Sequence, residues 1–204
     1  MWNEFTTVFR DVAAGVAALV GAYVGLAGLH TWRRVLKGNA DFETARSLMK
    51  SLYHLRDQID RCRNPLIAPS EFSIDYAIKM SRGEASHKDA AEALQCMYDE
   101  RLSHVYDAYV EFEVAALEAE ALWGRDIKVK SEAVGQLVRS LRAAIDAMIA
   151  DKHADGEHFR NDTKHGDQVR MKVRSSDSKN PFTMHINKSV ADLENAIRPH
   201  LMRG

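Results

Sequence analysis

Residues 98–123 read YDERLSHVYDAYVEFEVAALEAEALW, and Tyr98, Leu102, Val105, Tyr109, Phe112, Ala116, Ala119 and Trp123 follow one another at spacings of four and three in strict alternation. An α-helix turns once every 3.6 residues, so that spacing keeps the whole set on one side for about seven turns. A strand would repeat at every second residue instead. The stretch therefore predicts a long helix with one stripe to bury. Its limits are legible too. Ser86 can cap the first turn, Asp89 sets a carboxylate against the positive helix end, and Gly124 is a natural stop.

The same period extends in both directions. From about Asp41, the residues Ala45, Leu48, Leu52, Leu55, Ile59 and Cys62 predict a second long helix, stopped by Asn64-Pro65 because the residue before proline avoids the helical region. Phe72, Ile74, Ala77, Ile78 and Met80 predict a short helix ending near Gly83. Ser131 to Lys152 carries Val134, Val138, Leu141, Ile145 and Met148 on one face, and Ser189 to Leu201 carries Val190, Leu193 and Ile197, with Pro199 fraying its end. Helices with one apolar stripe each must cover one another, so the fold class is all-α, an antiparallel helical bundle with coiled-coil-like seams. Between residues 153 and 188 the helical period fades. Val169, Met171 and Val173, then Phe182, Met184 and Ile186, alternate with polar residues, which fits either a small β-hairpin insert or a mobile polar segment.

Val12 to Leu29, VAAGVAALVGAYVGLAGL, contains no charge. As a helix it would be about 27 Å long, near the hydrocarbon thickness of a bilayer, and it has no polar stripe such as a buried soluble helix keeps. It is expected to be a single N-terminal transmembrane helix. Arg33, Arg34 and Lys37 follow it while Arg10 precedes it beside Asp11, so the basic bias puts the N-terminus outside and everything after Trp32 in the cytoplasm. Trp2, Phe5 and Phe9 at one side and Trp32 at the other suit the two interfaces. A cleaved signal peptide is the alternative, with Gly25 and Ala27 as its small-residue site. Gly21 and Gly25 form GxxxG, with Gly28 one turn on, which fits self-association in lipid as well as it fits the general abundance of small residues in membrane helices. Gly38 is expected to end this first helix, dividing the chain into 1–38, the tip, span and basic juxtamembrane segment, and 39–204, the cytoplasmic bundle with insert 153–188.

Across the chain, 28 Lys and Arg balance 29 Asp and Glu, and 28% of residues are charged, which excludes a polytopic membrane protein and gives no global attraction to nucleic acid. Charge is unevenly placed, however. His30 to Asn64 has eight basic and four acidic residues, a balance of +4, whereas Ser86 to Gly124 has two basic and nine acidic, a balance of −7. These two helices should attract as neighbours, and the acids Asp99, Glu100, Asp107, Glu111 and Glu113 form a candidate interaction face. Arg33, Arg34 and Lys37 would meet the anionic inner leaflet.

No motif assigns an activity. Cys62 and Cys96 are isolated, so neither a disulfide framework nor a zinc ribbon is indicated, and no phosphate-binding, dinucleotide-binding, zinc-protease or nucleophile-elbow motif occurs. Glu84-Ala-Ser-His87 is a lone Glu-x-x-His, where a bundle metal site needs two. His153, His158 and His165 with Asp155, Asp162 and Asp167 match no tetrahedral spacing and read as a solvated loop, with a metal site as the alternative. No catalytic residue, metal or cofactor is assigned.

Residues Trp32 to Pro65, WRRVLKG and then FETARSLMKSLYHLRDQIDRCRNP, resemble a stretch shared by small, uncharacterised bacterial membrane proteins with one N-terminal span and a helical cytoplasmic part. The resemblance implies a bacterial inner-membrane location and no activity. It also implies structural roles for Arg56-Asp57, as an ion-paired helix face, and for Arg63-Asn64-Pro65, as a helix stop. The expected function is that of a single-pass, membrane-anchored interaction or scaffold protein, an oligomer recruiting an unknown protein partner at the cytoplasmic face. The alternatives are a membrane-disturbing effector acting by clustering of its span, and an enzyme or metal binder using the His/Asp-rich insert.

Overall fold

The computed structural model describes residues 21, 23, 32, 36–174 and 179–202. Its helices are α1 (36–62), α2 (Ile74–Ser81), α3 (His87–Trp123), α4 (Arg125–His153), α5 (Glu157–Asn161), α6 (Thr163–Val173) and α7 (Pro181–Leu201), with one 3-10 turn at Pro69–Glu71. No strand occurs among the described residues. The fold is all-α.

Helix α3 begins and ends where its residues dictate. The Ser86 hydroxyl accepts from the Asp89 amide while the Asp89 carboxylate accepts from the Ser86 amide, a closed capping box. Lys79 of α2 reaches the same carboxylate at 2.5 Å and, with the Ser86 hydrogen bonds, holds it below the usual carboxylate range. At the other end Gly124 takes φ 84°, a conformation few side chains tolerate, and this single residue reverses the chain into α4. Because one residue suffices, α4 starts at Arg125 rather than near Ser131, and Ile127 joins the core.

The stripes meet as the spacing requires. Ala45, Leu48, Leu52, Leu55, Ile59 and Cys62 of α1 are all buried, as are Tyr98, Leu102, Val105, Phe112, Ala116 and Ala119 of α3. Leu141 and Ile145 of α4 and Leu193 and Ile197 of α7 complete one continuous core. Cross-contacts give the order of directions. The Trp123 indole donates to Asp41, His54 faces Glu111, and Arg101 donates to the Cys62 carbonyl, so α1 and α3 run antiparallel. Arg63 at the end of α1 meets Thr183, Glu194 accepts a hydrogen bond from Tyr53, and the His200 ring stacks on Trp123 at 3.9 Å, so α7 runs antiparallel to α1 and parallel to α3.

Two expectations are corrected. Helix α1 passes through Gly38 without a break, and Gly38 is not among the glycines with positive φ, so it makes no left-handed cap. The β-hairpin is replaced by α6 and the start of α7. The alternation Val169, Met171, Val173 contains a spacing of four between its outer members, and these two are buried while Met171 is exposed. Phe182 and Ile186 likewise turn inward with Met184 outside. Caps decide between the two periods. Asp162 accepts from the His165 amide at the start of α6, and Asn180 accepts from the Phe182 and Thr183 amides with Pro181 in the first turn of α7. Residues 157–161 and 163–173 are therefore helical rather than a loose insert, and Phe159 packs against Gly166 so closely that a Cβ there would sit 2.9 Å from the Phe159 Cβ. Stretch 12–29 lies outside the described residues except for Gly21 and Tyr23. Among the described residues no helix is long and apolar enough to cross a membrane.

Two arginines close one end of the bundle. Arg63 is 0% exposed. Its Nε donates to the Lys172 carbonyl at 2.7 Å, Nη2 to the Met171 carbonyl at 3.3 Å and Asn180 Oδ1 at 3.4 Å, and Nη1 to Thr183 Oγ1 at 3.1 Å. Those carbonyls belong to the last turn of α6, which has no further helical amides to satisfy them. Burial draws the guanidinium below its ordinary pKa, opposed by Asp60, and its carbon lies 4.9 Å over the Phe182 ring. Arg101 performs the same task on α1, donating to the carbonyls of Cys62, Asn64 and Leu66 while Glu71 accepts from its Nε at 2.6 Å.

Replacing Arg63 strands several acceptors at once. Arg63→Ala is expected to cost about 3 kcal/mol or more, read from the urea midpoint, and Arg63→Lys to restore less than half, since an ammonium cannot span the same fork. The Arg101 hydrogen bond holds Glu71 below its ordinary pKa of 4.5. The stabilisation from that pair is fully present above 4.5 and is lost as pH falls through the depressed value. A urea midpoint followed from pH 6 to pH 3 should thus fall less steeply in Glu71→Gln than in the unaltered protein.

Candidate interaction surface

Opposite its buried stripe, α3 carries a second one. Val110, Val114 and Leu117 are spaced by four and three and are 58%, 55% and 64% exposed. Ser103 and Asp107 precede them and Ala121 follows, continuing the alternation 103, 107, 110, 114, 117, 121. Tyr106 stands beside the stripe, also exposed. Apolar side chains scattered singly on a surface need no account, but branched residues repeating at the seam period form a contiguous patch of the kind that marks an interaction site.

Grooves border this ridge on both sides. Towards α1, a cleft of about 480 Å³ is lined by Lys50 and His54 together with Val110, Glu111 and Val114. Towards α4, one of about 420 Å³ is lined by Tyr109, Glu113, Leu117, Lys128 and Arg139. Tyr109 can approach α4 because Gly135 has no side chain; a Cβ there would lie 2.5 Å from the Tyr109 hydroxyl. Burial and the Glu113 carboxylate raise the Tyr109 pKa, so the phenol stays protonated at neutral pH.

The acids expected to form an interaction face are all on α3 and all exposed, but they do not share one side. Successive residues of a helix turn by about 100°, which puts Asp99 and Glu113 on the α4 side of the ridge and Glu100, Asp107 and Glu111 on the α1 side. They form a rim around an apolar stripe, which the charge pattern alone does not reveal. The signal for the stripe lies in the sequence as a second three-four series, out of phase with the first. Lys37 is exposed on the first described turns of α1. Arg33, Arg34, Gly25 and Gly28 lie outside the described residues, and around Gly21 an added Cβ would meet nothing within 4 Å.

Four of the six residues of the His/Asp-rich segment have partners within the chain. Asp155 pairs with His87 at 3.2 Å, Asp167 with Arg170 at 3.0 Å, Asp162 caps α6, and the His165 ring stands edge-on to Phe159. Among the described residues no three His, Cys, Asp or Glu side chains converge as metal ligands would. Cys62 is buried, its thiol pushed up to about 11 by desolvation, which disfavours the reactive thiolate. Compared with known protein families, with curated proteins and with solved structures, the chain matches none.

The two faces of α3 should respond oppositely to substitution. Val114→Asp is expected to move the urea midpoint by no more than about 0.5–1 kcal/mol in free energy, because the site is already wet, whereas Leu102→Ala, one buried turn away from the surface, should cost about 2–5 kcal/mol.

Proposed function

We propose that this chain is a membrane-anchored helical interaction module. Residues 12–29 hold it in the bacterial inner membrane as a single pass with the N-terminus outside, Arg33, Arg34 and Lys37 lie against the inner leaflet, and Gly21, Gly25 and Gly28 bring copies together in lipid. The bundle then stands on the cytoplasmic side and recruits a protein partner through the outer side of α3. Anchoring confines that surface to the membrane plane and raises its effective concentration for a partner held there.

The observation that carries this reading is the exposed Val110, Val114, Leu117 series on a helix whose other side is fully committed to the core. Nothing in the bundle's own packing requires those residues to be apolar, and at a solvated position a polar residue would serve as well.

A photo-reactive residue placed at Val114 in intact cells, with one at Asp192 on the exposed side of α7 as control, tests the proposal. The expected result is a discrete cross-linked protein from position 114 only, in a membrane fraction that resists carbonate washing. Equal labelling from both positions, or release of the chain by carbonate, would contradict it.

A further inference from the structure

The interaction reading leaves open what lies on the α3 ridge, and the surroundings of the ridge answer that in chemical terms. The apolar surface from Tyr106 to Ala121 is narrow, and within it Val110, Val114, Leu117 and Ala121 repeat at the seam spacing, a shape complementary to another helix, whose side chains would enter the gaps between Val110, Val114 and Leu117. At 1.5 Å per residue it is about 24 Å long, or roughly four turns of a partner helix.

Charge decides between candidate helices. Residues 99–120 hold seven acids, Asp99, Glu100, Asp107, Glu111, Glu113, Glu118 and Glu120, against one base, Arg101. That base is occupied by Glu71 and three carbonyls on the inner side. On the α4 side Lys128 compensates Glu120 at 3.1 Å, Arg139 lines the cleft beside Glu113 and Arg142 faces Asp99. On the α1 side His54 lies 3.2 Å from Glu111 and Lys50 lines the same cleft, but Glu100, Asp107 and Glu118 make no ion pair among the described residues, so the negative excess of the ridge lies on its α1 side. A second copy of α3 laid antiparallel on the ridge would set this acidic flank against its own equivalent and be opposed by their repulsion. A helix with an acidic margin would fare no better. We infer that the outer side of α3 docks an amphipathic helix of a partner protein whose apolar seam is flanked by Lys and Arg.

This inference rests on the interaction reading and extends it to the partner's chemistry. It is tested with the full chain held in phosphatidylcholine nanodiscs, a lipid without net charge to attract a basic peptide. Two synthetic helices of about 21 residues serve as probes, both with Leu at the seam positions, one with Lys and one with Glu at the flanking positions. The Lys-flanked helix should bind at least about tenfold more tightly than the Glu-flanked one, and this preference should shrink as salt is raised. Val114→Asp, at an exposed site, should weaken it by about tenfold or more, and Asp107→Lys with Glu118→Lys should reverse the preference while leaving the helical circular dichroism unchanged. Equal binding of both probes, insensitivity to Val114→Asp, or retention of the Lys preference after the double charge reversal would overturn the inference. A position-114 cross-link made solely to a second copy or to another part of the same chain would overturn it as well. If that cross-link captures a different protein while the probes show no preference, recruitment stands and the basic-helix assignment alone fails.

Discussion

A buried guanidinium that neutralises the ends of other elements, with no acid among the described residues hydrogen-bonded to it, is the constraint on which this bundle closes. Arg63 sits where α1 ends and spends its donors on the last carbonyls of α6 and on the first residues of α7. Arg101 does the same for the end of α1, with Glu71 as its one acidic partner among the described residues. Helix C-termini carry partial negative charge and unsatisfied acceptors, so a cation placed there meets both needs without a paired carboxylate in the core. The two side chains link a chain of contacts from the 3-10 turn through α3 and α1 to the α6–α7 junction, and thereby order segments that have little apolar surface of their own.

The main helices were legible because their information is local. A seam such as Tyr98 to Trp123 states its period within the helix that uses it, and caps such as Ser86 and Gly124 act within a few residues. The role of Arg63 was legible only in part. Its neighbours Asn64 and Pro65 announce a helix stop, but its acceptors lie more than a hundred residues further along, and no spacing rule reports such a meeting. Segment 163–186 misled for a different reason. Val169, Met171 and Val173 satisfy a period of two, yet their outer pair also satisfies a helical spacing of four, and short apolar series cannot separate these readings without their caps. Gly38 misled because glycine permits a left-handed turn without demanding one.

Helix α3 shows how one element can carry two codes. Its inner series sets the bundle, and its outer series, offset by about half a turn, has no function in the fold. The acids of this helix flank that outer series on both sides. This matters physically, since acidic side chains alone attract many partners loosely, while an apolar seam between them adds a requirement for shape and register.

The antiparallel order also fixes how the bundle would bear load. Asp41 of α1 and His200 near the end of α7 lie together beside Trp123, while Arg63 and Thr183 mark the opposite end of the same helix pair. A force pulling Asp41 and His200 apart would therefore peel α1 from α7 like a zip, opening contacts one after another from Asp41 inward instead of shearing them together. Mechanical resistance would be low at first and greatest at the last step, where the Arg63 clamp must release its acceptors in a single event.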